Sequence, residues 1–217
     1  MGKVVRMRMR IGILGAGNMA VALGAKWVAA GHDVVIGARS AERAKAAAHR
    51  VGARAGSLSE AAAHGDAVLT SVGYAACAEV IAPLAHHLAG KAVLDCSNPI
   101  VPGPAGLMLV TPGGTSAADA VAAAAPEAHV VKAFNLGAAA VWAGPLAKGL
   151  GVPLCGDDAL AVALAGDLVA DTGAVPLPVG GLDRAGYLEA TAAIVIGMWF
   201  AGQDPRTMLP LPEHAHG

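Results

Sequence analysis

The chain has 217 residues, enough for one domain with a small appendage and too few for two full cores. Hydrophobic residues make up 55% of the chain and charged residues 14%, which excludes a disordered or fibrous protein. The formal net charge of −1 provides no basic field, so we expect neither nucleic acid nor an anionic membrane surface as a partner.

Cysteine usage and hydropathy indicate the compartment. Cys77, Cys96 and Cys155 lie far apart and show no zinc-type spacing, so we expect buried, reduced thiols in a cytoplasmic protein. The longest uncharged stretch near the carboxyl terminus, at 190–203, is shorter than the roughly twenty apolar residues that span a bilayer. We therefore expect no membrane segment.

Strand and helix patterns alternate from the amino terminus onward, which predicts an α/β fold with a Rossmann-type doubly wound parallel sheet. The predicted strands are 8–14, 33–37, 53–55, 66–72, 91–96, 129–134, 152–155 and 174–178. The predicted helices are 18–30, 41–51, a short helix that Ser57 and Glu60 cap, 77–88, 116–125, 137–143, 158–170 and 182–201. A Pro/Gly-rich stretch at 99–115 is predicted to be a long loop, a kind of segment that is usually functional or mobile.

A glycine-rich turn, GAGNMA at 15–20, follows the first predicted strand and opens the first predicted helix. In the dinucleotide-binding fingerprint the first glycine permits the tight turn, and the second lets a pyrophosphate approach the free N–H groups of the helix. An alanine can replace the third glycine. The alternative is a plain turn between strand and helix, but the strand–turn–helix context favours the fingerprint. We therefore expect a pyrophosphate at Gly15, Ala16, Gly17, Asn18 and Met19.

The end of the second predicted strand indicates which dinucleotide binds. Enzymes that use NAD place an acidic residue there to accept hydrogen bonds from the ribose hydroxyls. Here the sequence is GARS at 37–40, without a carboxylate. Arg39 offers a planar set of donors that matches a 2′-phosphate, Ser40 adds a hydroxyl, and Arg43 lies one helical turn further on. The alternative is a solvated loop charge at Arg39, but its location favours NADP(H).

Further ligand contacts are expected at the carboxyl ends of the later strands, where open α/β sheets bind ligands. Ser71 and Val72 follow the fourth strand, Asn98 and Pro99 the fifth, and Asn135 the sixth. The asparagines either orient an amide or ring group of the ligand or cap a turn. The sequence shows no Ser/His/Asp arrangement and no pair of metal ligands, so we expect no catalytic side chain and no metal. This is compatible with hydride transfer, which needs positioning more than proton chemistry.

With these motifs the chain resembles the NADPH:F420 oxidoreductases, also called F420-dependent NADP reductases. The segments that carry the resemblance are IGILGAGNMA, VVIGARS, DCSNP, VVKAFN, PLCGDD and PVGGLDRAGYLEATAAIVI, in this order between about 10 and 201. The NADP domain is also similar to that of the membrane metalloreductases, and GAGNMA is typical of pyrroline-5-carboxylate reductases.

The resemblance implies a 2′-phosphate held at Arg39, Ser40 and Arg43, and a dinucleotide flanked by residues 71–72 and 98–99. It further implies that the loop at 134–138 and the last helix line a pocket where the deazaflavin F420 stacks over the nicotinamide, so that hydride passes directly between them. The family commonly has Ser or Thr where Ala38 stands, so one phosphate donor is missing and we expect a weaker preference for NADP.

We therefore expect a cytoplasmic oxidoreductase that transfers hydride between NADP(H) and coenzyme F420. Residues 1–150 would form the NADP-binding domain and 151–217 a small C-terminal α/β extension that lines the acceptor cleft. An apolar last helix, at 185–201, has to be covered and predicts a homodimer. The rival functions are NADPH-dependent reduction of flavin, ferric iron or a small imine, and non-catalytic sensing of NADP(H).

Overall fold

The computed structural model describes residues 8–104, 106–110 and 115–208. The strands are β1 (Arg10–Leu14), β2 (Asp33–Gly37), β3 (Arg54–Gly56), β4 (Ala67–Thr70), β5 (Ala92–Asp95), β6 (Ile100–Gly103), β7 (Gly106–Leu109), β8 (His129–Lys132), β9 (Gly151–Gly156) and β10 (Val175–Pro178). The helices are α1 (Asn18–Ala29), α2 (Ala41–Val51), α3 (Leu58–His64), α4 (Tyr74–Ile81), α5 (Ala85–Leu88), α6 (Ala117–Ala124), α7 (Ala139–Ala143), α8 (Ala159–Asp171) and α9 (Ala185–Phe200).

Eight strands form one sheet in the order β10-β9-β8-β5-β4-β1-β2-β3. The central strand β1 is parallel to both neighbours, so that Leu14 lies opposite Gly37 of β2 and Thr70 of β4. The chain builds the sheet from β1 outward to β3, returns to β4, and continues to β10. This confirms the predicted doubly wound Rossmann-type fold. The reversal of direction between β1 and β4 creates a crevice at the carboxyl ends of these strands, where such folds bind ligands.

One pair of neighbours departs from the predicted parallel sheet. Strands β8 and β9 are antiparallel, with Val131 opposite Gly156 and Lys132 opposite Cys155. The connection between them contains only the five-residue helix α7, which is about 7.5 Å long at 1.5 Å per residue. Such a helix is too short to carry the chain back across the sheet, so β9 begins at the edge where β8 ends.

Small side chains let the helices lie very close to the sheet. A Cβ atom added to Gly12 in β1 would stand 2.0 Å from the main-chain oxygen of Ala61 in α3. One added to Gly37 in β2 would stand 2.4 Å from the main-chain oxygen of Ser57. The buried residues of α2 and α3 are all alanines, namely Ala44, Ala47, Ala48, Ala61 and Ala62. The alanine- and glycine-rich composition thus sets a thin interface between helix and sheet.

The predicted start of α3 is confirmed in detail. The Ser57 hydroxyl accepts a hydrogen bond from the N–H of Glu60 at 3.1 Å, and the Glu60 carboxylate accepts one from the N–H of Ser57 at 2.7 Å. These reciprocal bonds form a capping box, which satisfies two N–H groups that the helix itself leaves unpaired. The bond to the Ser57 N–H also lowers the pKa of the Glu60 carboxyl.

The predicted helix at 77–88 is two helices. Helix α4 ends at Ile81, a 3-10 turn follows at Ala82–Leu84, and α5 begins at Ala85. Pro83 accounts for the break, because proline has no N–H to donate and its ring clashes with the preceding turn. Helix α4 also begins earlier than predicted, at Tyr74, and so comes close to the carboxyl end of β4.

The predicted loop at 99–115 contains an antiparallel hairpin of β6 and β7. The pairing runs from Ile100 opposite Leu109 to Gly103 opposite Gly106. Gly106 has a φ angle of +112°, which glycine adopts without strain. Strand β7 packs against α9, so the hairpin covers part of the last helix. Residues 105 and 111–114 of the predicted loop lie outside the described residues.

The two edge strands of the sheet are β3 and β10. Strand β3 has three residues, and β10 contains Pro176 and Pro178. The N–H groups of Val175 and Val179, which flank these prolines, both donate inward to the side of β9. Among the residues that the structure describes, no helix is long and apolar enough to cross a membrane.

Candidate cofactor site

At the first position of the turn between β1 and α1, no residue larger than glycine fits. Gly15 has a φ angle of +117°, and a Cβ atom there would stand 2.2 Å from the main-chain oxygen of Ser71. The N–H of Gly15 donates to the carbonyl oxygen of Gly37 at 2.7 Å, which holds the turn against β2. The turn is therefore clamped between the ends of β2 and β4.

The second glycine of the turn, Gly17, faces open space. It precedes α1 as the N-cap residue, and a Cβ atom added to it would have no described atom within 4 Å. No side chain caps this helix, and its first turn contains no acidic residue. The free N–H groups at the start of α1 are thus available to an anionic group, as a dinucleotide pyrophosphate requires.

The end of β2 presents two arginine side chains, Arg39 and Arg43, beside the hydroxyl of Ser40. Ser40 caps α2 by accepting a hydrogen bond from the N–H of Arg43 at 3.2 Å, which leaves its hydroxyl proton free to be donated to a ligand. Arg39 and Arg43 are exposed, and neither guanidinium forms an ion pair within the described ranges. Arg10, by contrast, binds the carboxylate of Asp66. Two unpaired guanidinium groups beside a hydroxyl are the arrangement that binds a phosphate.

A groove of about 420 Å³ joins the two positions at which phosphate groups are predicted to bind. The predicted residues that line it are Gly15, Ala16, Gly17, Arg39, Ser40, Arg43, Ser71 and Val72. Ala38, where the related family commonly has a phosphate donor, also lines it, and the lining residues that the sequence analysis did not predict are Leu58, Gly73, Ala76 and Val80. Leu58 begins α3 and Val80 lies in α4, where an apolar residue is indistinguishable in sequence from one that faces the core. Asn18 and Met19 belong to the first turn of α1 and do not line this groove.

Asn98 and Asn135 are brought together, although they follow different strands. The Asn98 amide donates to the main-chain oxygen of Asn135 at 2.7 Å, and the Asn135 amide donates back to Asn98 Oδ1 at 3.0 Å. The Asn135 amide also donates to the carbonyl oxygen of Leu188 in α9 at 3.1 Å. The Pro99 carbonyl oxygen accepts from the N–H of Val110, at the hairpin. These residues therefore join the ends of β5 and β8 to α9, beyond the groove.

Behind the asparagine pair lies a buried ion triad of Asp95, Lys132 and Glu189, all fully buried. The Lys132 ammonium donates to the Asp95 carboxylate at 2.7 Å and to the Glu189 carboxylate at 2.6 Å. It also donates to the main-chain oxygen of Ser97. Burial alone would lower the pKa of Lys132, but the two carboxylates outweigh burial and raise that pKa above its usual value. Lys132 is therefore charged at neutral pH.

The sequence analysis missed this triad. Its members come from β5, β8 and α9, and no local pattern connects these elements. A signal is present in retrospect, because an isolated lysine ends the apolar run of β8 and an isolated glutamate interrupts the long apolar helix α9. Charged residues are almost never fully buried unless they are paired, so each of them requires the others.

The three cysteines are free and buried, which confirms the interpretation as buried thiols. Burial, together with a smaller contribution from the nearby Asp95 carboxylate, raises the pKa of the Cys77 and Cys96 thiols to about 12. Burial likewise raises the pKa of the Cys155 thiol to about 11. Because the thiolate is the reactive form, none of these thiols is a nucleophile at neutral pH.

An aromatic cluster holds the turn after β8. Phe134 has a φ angle of 64°, in the left-handed region that side chains other than glycine rarely adopt. Its buried ring stands edge-on to Trp27, with centroids 6.0 Å apart, and to Trp142, with centroids 5.2 Å apart. Such a backbone conformation costs on the order of 1 kcal/mol or more and persists where the surroundings enforce it. Here the two tryptophans enforce it, and the turn directs Asn135 toward Asn98.

A second cavity, of about 480 Å³, lies beside this cluster at the sheet edge where β8 ends and β9 begins. Asp204 and Arg206 stand at its rim and form an ion pair with each other, with 2.6 Å between nitrogen and oxygen. Its lining is largely apolar and includes Phe134, Leu136, Val141, Trp142, Val152, Pro153 and Val195. The cavity therefore suits an uncharged apolar group such as a ring.

This fold and this groove define a Rossmann-type dinucleotide-binding protein. Residues 10–99 match the protein family described as NADP oxidoreductase, coenzyme F420-dependent. This match covers less than half of the chain and confirms the resemblance found in the sequence. The matched segment contains both the glycine turn and the arginines that line the groove.

Three known proteins illustrate the similarity. The metalloreductase STEAP3 of Rattus norvegicus is 30% identical over 191 residues, which are 88% of this chain; the chain spans only 38% of STEAP3. The structure of protein SMa0349 from Sinorhizobium meliloti is 30% identical with a TM-score of 0.73, covering 83% of this chain and 88% of that one. A structure from Arthrobacter sp. FB24, described as an F420-dependent NADP-reductase, is 24% identical with a TM-score of 0.78 and covers 90% and 96%.

Proposed function

We propose that this NADP-dependent oxidoreductase transfers hydride directly between NADP(H) and the deazaflavin coenzyme F420. The observation that carries the choice of NADP(H) is the pair of unpartnered guanidinium groups, Arg39 and Arg43, beside the glycine turn. The choice of F420 is supported by the description of the matched family and by that of the Arthrobacter structure.

In this function the chain binds and orients the dinucleotide. The cradle at Gly17 and the start of α1 hold the pyrophosphate, while Arg39, Ser40 and Arg43 hold the 2′-phosphate at the end of β2. With these two groups fixed at β1 and β2, the nicotinamide half extends in the opposite direction, over the ends of β4 and β5. Ser71 would flank it there. Bound NADPH supplies the hydride, and binding to positioned groups replaces the need for a protein nucleophile.

We propose the cavity beside Phe134 as the place of the acceptor ring. It lies at the same edge of the sheet as the groove, further along the strand order toward β9. Apolar walls exclude water from a reacting ring, and the ion pair of Asp204 with Arg206 neutralises the rim. The last helix lines the cavity through Val195, in agreement with the resemblance to the F420-dependent family.

The alternative is NADPH-dependent reduction of another acceptor, namely flavin, ferric iron or a small imine. The similarity to STEAP3, which is named a metalloreductase, favours a metal among these. A non-catalytic NADP(H) sensor would share the groove without using the apolar cavity. All of these functions are compatible with the same fold and differ in the acceptor that is reduced. An assay with each acceptor therefore separates them.

We further propose that the protein is a cytoplasmic homodimer, with 1–150 as the cofactor domain and 151–217 as the acceptor-side extension. The buried thiols fit a reducing compartment. Apart from the buried Glu189, helix α9 is largely apolar, and its residues Tyr187 and Ile194, which lie on one face of the helix, are 66% and 56% exposed. An exposed apolar helix face of this kind is typical of an interface, and a second copy would cover it.

The test is a spectrophotometric assay with purified protein, NADPH and oxidised F420, which follows the loss of deazaflavin absorbance. Parallel reactions contain NADH in place of NADPH, or free flavin, a ferric chelate or a cyclic imine in place of F420. We expect rapid bleaching of F420 with NADPH and little with NADH. Turnover with another acceptor alone would replace F420 by that acceptor. Tight NADPH binding without turnover of any acceptor would favour the sensor.

A further inference from the structure

The buried ion triad has no part in the function described so far, yet it is placed between the two halves of the site. Lys132 ends β8, Asp95 ends β5, and Glu189 lies in α9. The three ammonium protons of Lys132 are all used, by the two carboxylates and by the Ser97 carbonyl oxygen. A lysine has three donors, so this geometry fixes the ammonium group completely.

On one side the triad holds the turn that leads from β5 to Asn98 and Pro99. Asp95 accepts a hydrogen bond from the N–H of Ser97 at 3.0 Å, while the Ser97 carbonyl accepts from Lys132. The Ser97 hydroxyl is buried and makes no hydrogen bond to the residues that the structure describes. The position of this turn is therefore set through its main chain by Asp95 and Lys132, and not through the side chain of Ser97.

On the other side the triad holds the last helix. The Glu189 carboxylate accepts from the N–H of Ala117 at 2.9 Å, so it also caps the start of α6. The residue before it, Leu188, accepts the hydrogen bond of the Asn135 amide. Lys132 thus connects two parts of the proposed site. One is the turn after β5, where the nicotinamide half is proposed to lie, and the other is α9, which lines the acceptor cavity.

Such a triad is an expensive way to stabilise a core. Two carboxylates and one ammonium group lose their hydration, and replacing buried ion pairs by neutral groups of similar size is often neutral or stabilising. The charged groups instead fix the relative orientation of the elements that they join, because each N–H of the Lys132 ammonium group donates to one acceptor in a defined geometry. This favours a role in positioning over a role in stability.

We propose that Lys132 is a positioning residue, which sets the turn at 97–99 against α9 so that the nicotinamide half of the cofactor is held in one place relative to the acceptor cavity. The inference rests on the proposed NADP(H) site. It concerns only the nicotinamide half, since the phosphate-binding residues of the adenosine half follow β1 and β2 and have no contact with the triad.

The test uses a neutral-triad variant, in which Asp95→Asn, Lys132→Met and Glu189→Gln are combined so that no unpaired charge remains buried. Two probes are titrated, NADPH and 2′-phospho-ADP-ribose, which lacks the nicotinamide ring. We expect the variant to bind 2′-phospho-ADP-ribose within about twofold of wild type and NADPH at least about tenfold more weakly, a difference of about 1.4 kcal/mol. The fluorescence of bound NADPH should also shift toward that of the free cofactor, because the ring is no longer held.

Lys91→Met is the matched control. Lys91 is half-buried, whereas Lys132 is fully buried, and it donates to two main-chain carbonyl groups, those of Ala62 and Ala63, at the amino end of β5. We expect it to change the melting temperature without changing the ratio of the two affinities. Should the neutral-triad variant fail to fold, Glu189→Gln alone keeps the shape and the Asp95–Lys132 pair. It is expected to weaken NADPH about threefold and to leave 2′-phospho-ADP-ribose unchanged.

The outcomes separate the two proposals. A folded variant that binds both probes like wild type, or loses both to the same extent, overturns the role of Lys132 while the cofactor site stands. If wild-type protein binds neither NADPH nor 2′-phospho-ADP-ribose, the proposed cofactor site itself is wrong.

Discussion

Replacing Arg39 by alanine is the sharpest test of how the protein distinguishes NADPH from NADH. The two cofactors differ only in the 2′-phosphate, and Arg39 lies in the groove without an ion-pair partner within the described ranges. Truncation of its side chain therefore breaks no ion pair among the residues that the structure describes. Any loss of binding then reports the contact with the cofactor and not a change in the fold.

The size of the effect follows from the chemistry of the contact. A hydrogen bond to a charged group contributes about 1.5–3 kcal/mol, and the solvent exposure of Arg39 places it near the lower value because water screens the charge. At about 1.4 kcal/mol for each factor of ten, NADPH should bind about tenfold more weakly to Arg39→Ala. NADH should bind within about twofold of wild type. Adding Arg43→Ala should bring the loss for NADPH to about 100-fold, if the two guanidinium groups act independently.

Fluorescence titration with each cofactor measures these affinities, in buffers of low and high ionic strength. Arg50→Ala is the control, since it removes the same charge from the last turn of α2, away from the groove. The loss for NADPH should shrink at high salt, which screens exposed charges. Equal losses for NADPH and NADH would show that Arg39 binds something other than the 2′-phosphate. If Arg50→Ala weakened NADPH binding as much as Arg39→Ala does, the cause would be the overall positive charge of this region and not a specific contact with Arg39.

Four further results are expected. Gly17→Val should abolish binding of both cofactors without lowering the melting temperature, because its side chain enters the open cradle; retained binding would remove the pyrophosphate assignment. The thiols of Cys77 and Cys96 have a folded pKa of about 12 against 9.0 for an ordinary thiol, so the free energy of unfolding should fall as pH rises from about 9 toward 12. Iodoacetamide at pH 8.5 should label them only in denaturant, and labelling of the native protein would contradict their burial. Ile194→Glu should convert a dimer to a monomer in light scattering, whereas an unchanged mass would place the interface elsewhere.

Local patterns were sufficient to predict the glycine turn and the arginines that line the candidate groove. The turn at 15–20, the arginine after β2 and the capping box of α3 each depend on residues within one turn of chain, and on conformations that few residue types can adopt. Gly15 is the clearest case, since both its positive φ angle and the oxygen of Ser71 exclude a side chain. Such constraints involve residues that are adjacent in the sequence, so they can be recognised in a single sequence.

Features that depend on distant residues could not be predicted in the same way. Lys132 lies 37 residues from Asp95 and 57 from Glu189, and its placement at the end of an apolar strand is equally typical of a solvated terminus. The direction of β9 depends on the connection between β8 and β9. The strand propensity of its residues contains no information about that direction. The hairpin of β6 and β7 was missed because Pro102 and the surrounding glycines favour a loop, while its pairing depends on cover from α9.

The prolines of β10 bear on how copies of this protein can associate. In a parallel strand the N–H groups of alternate residues point to the same side, and those of Val175 and Val179 point inward. Pro176 and Pro178 therefore occupy the positions whose N–H groups would face outward, and they have none to offer. A strand of another molecule that paired with this edge would meet carbonyl acceptors but no N–H donors at the two prolines. Extension of the sheet from one molecule to the next is therefore blocked at β10. Any association of copies along the β10 edge would therefore have to use side chains and not main-chain pairing.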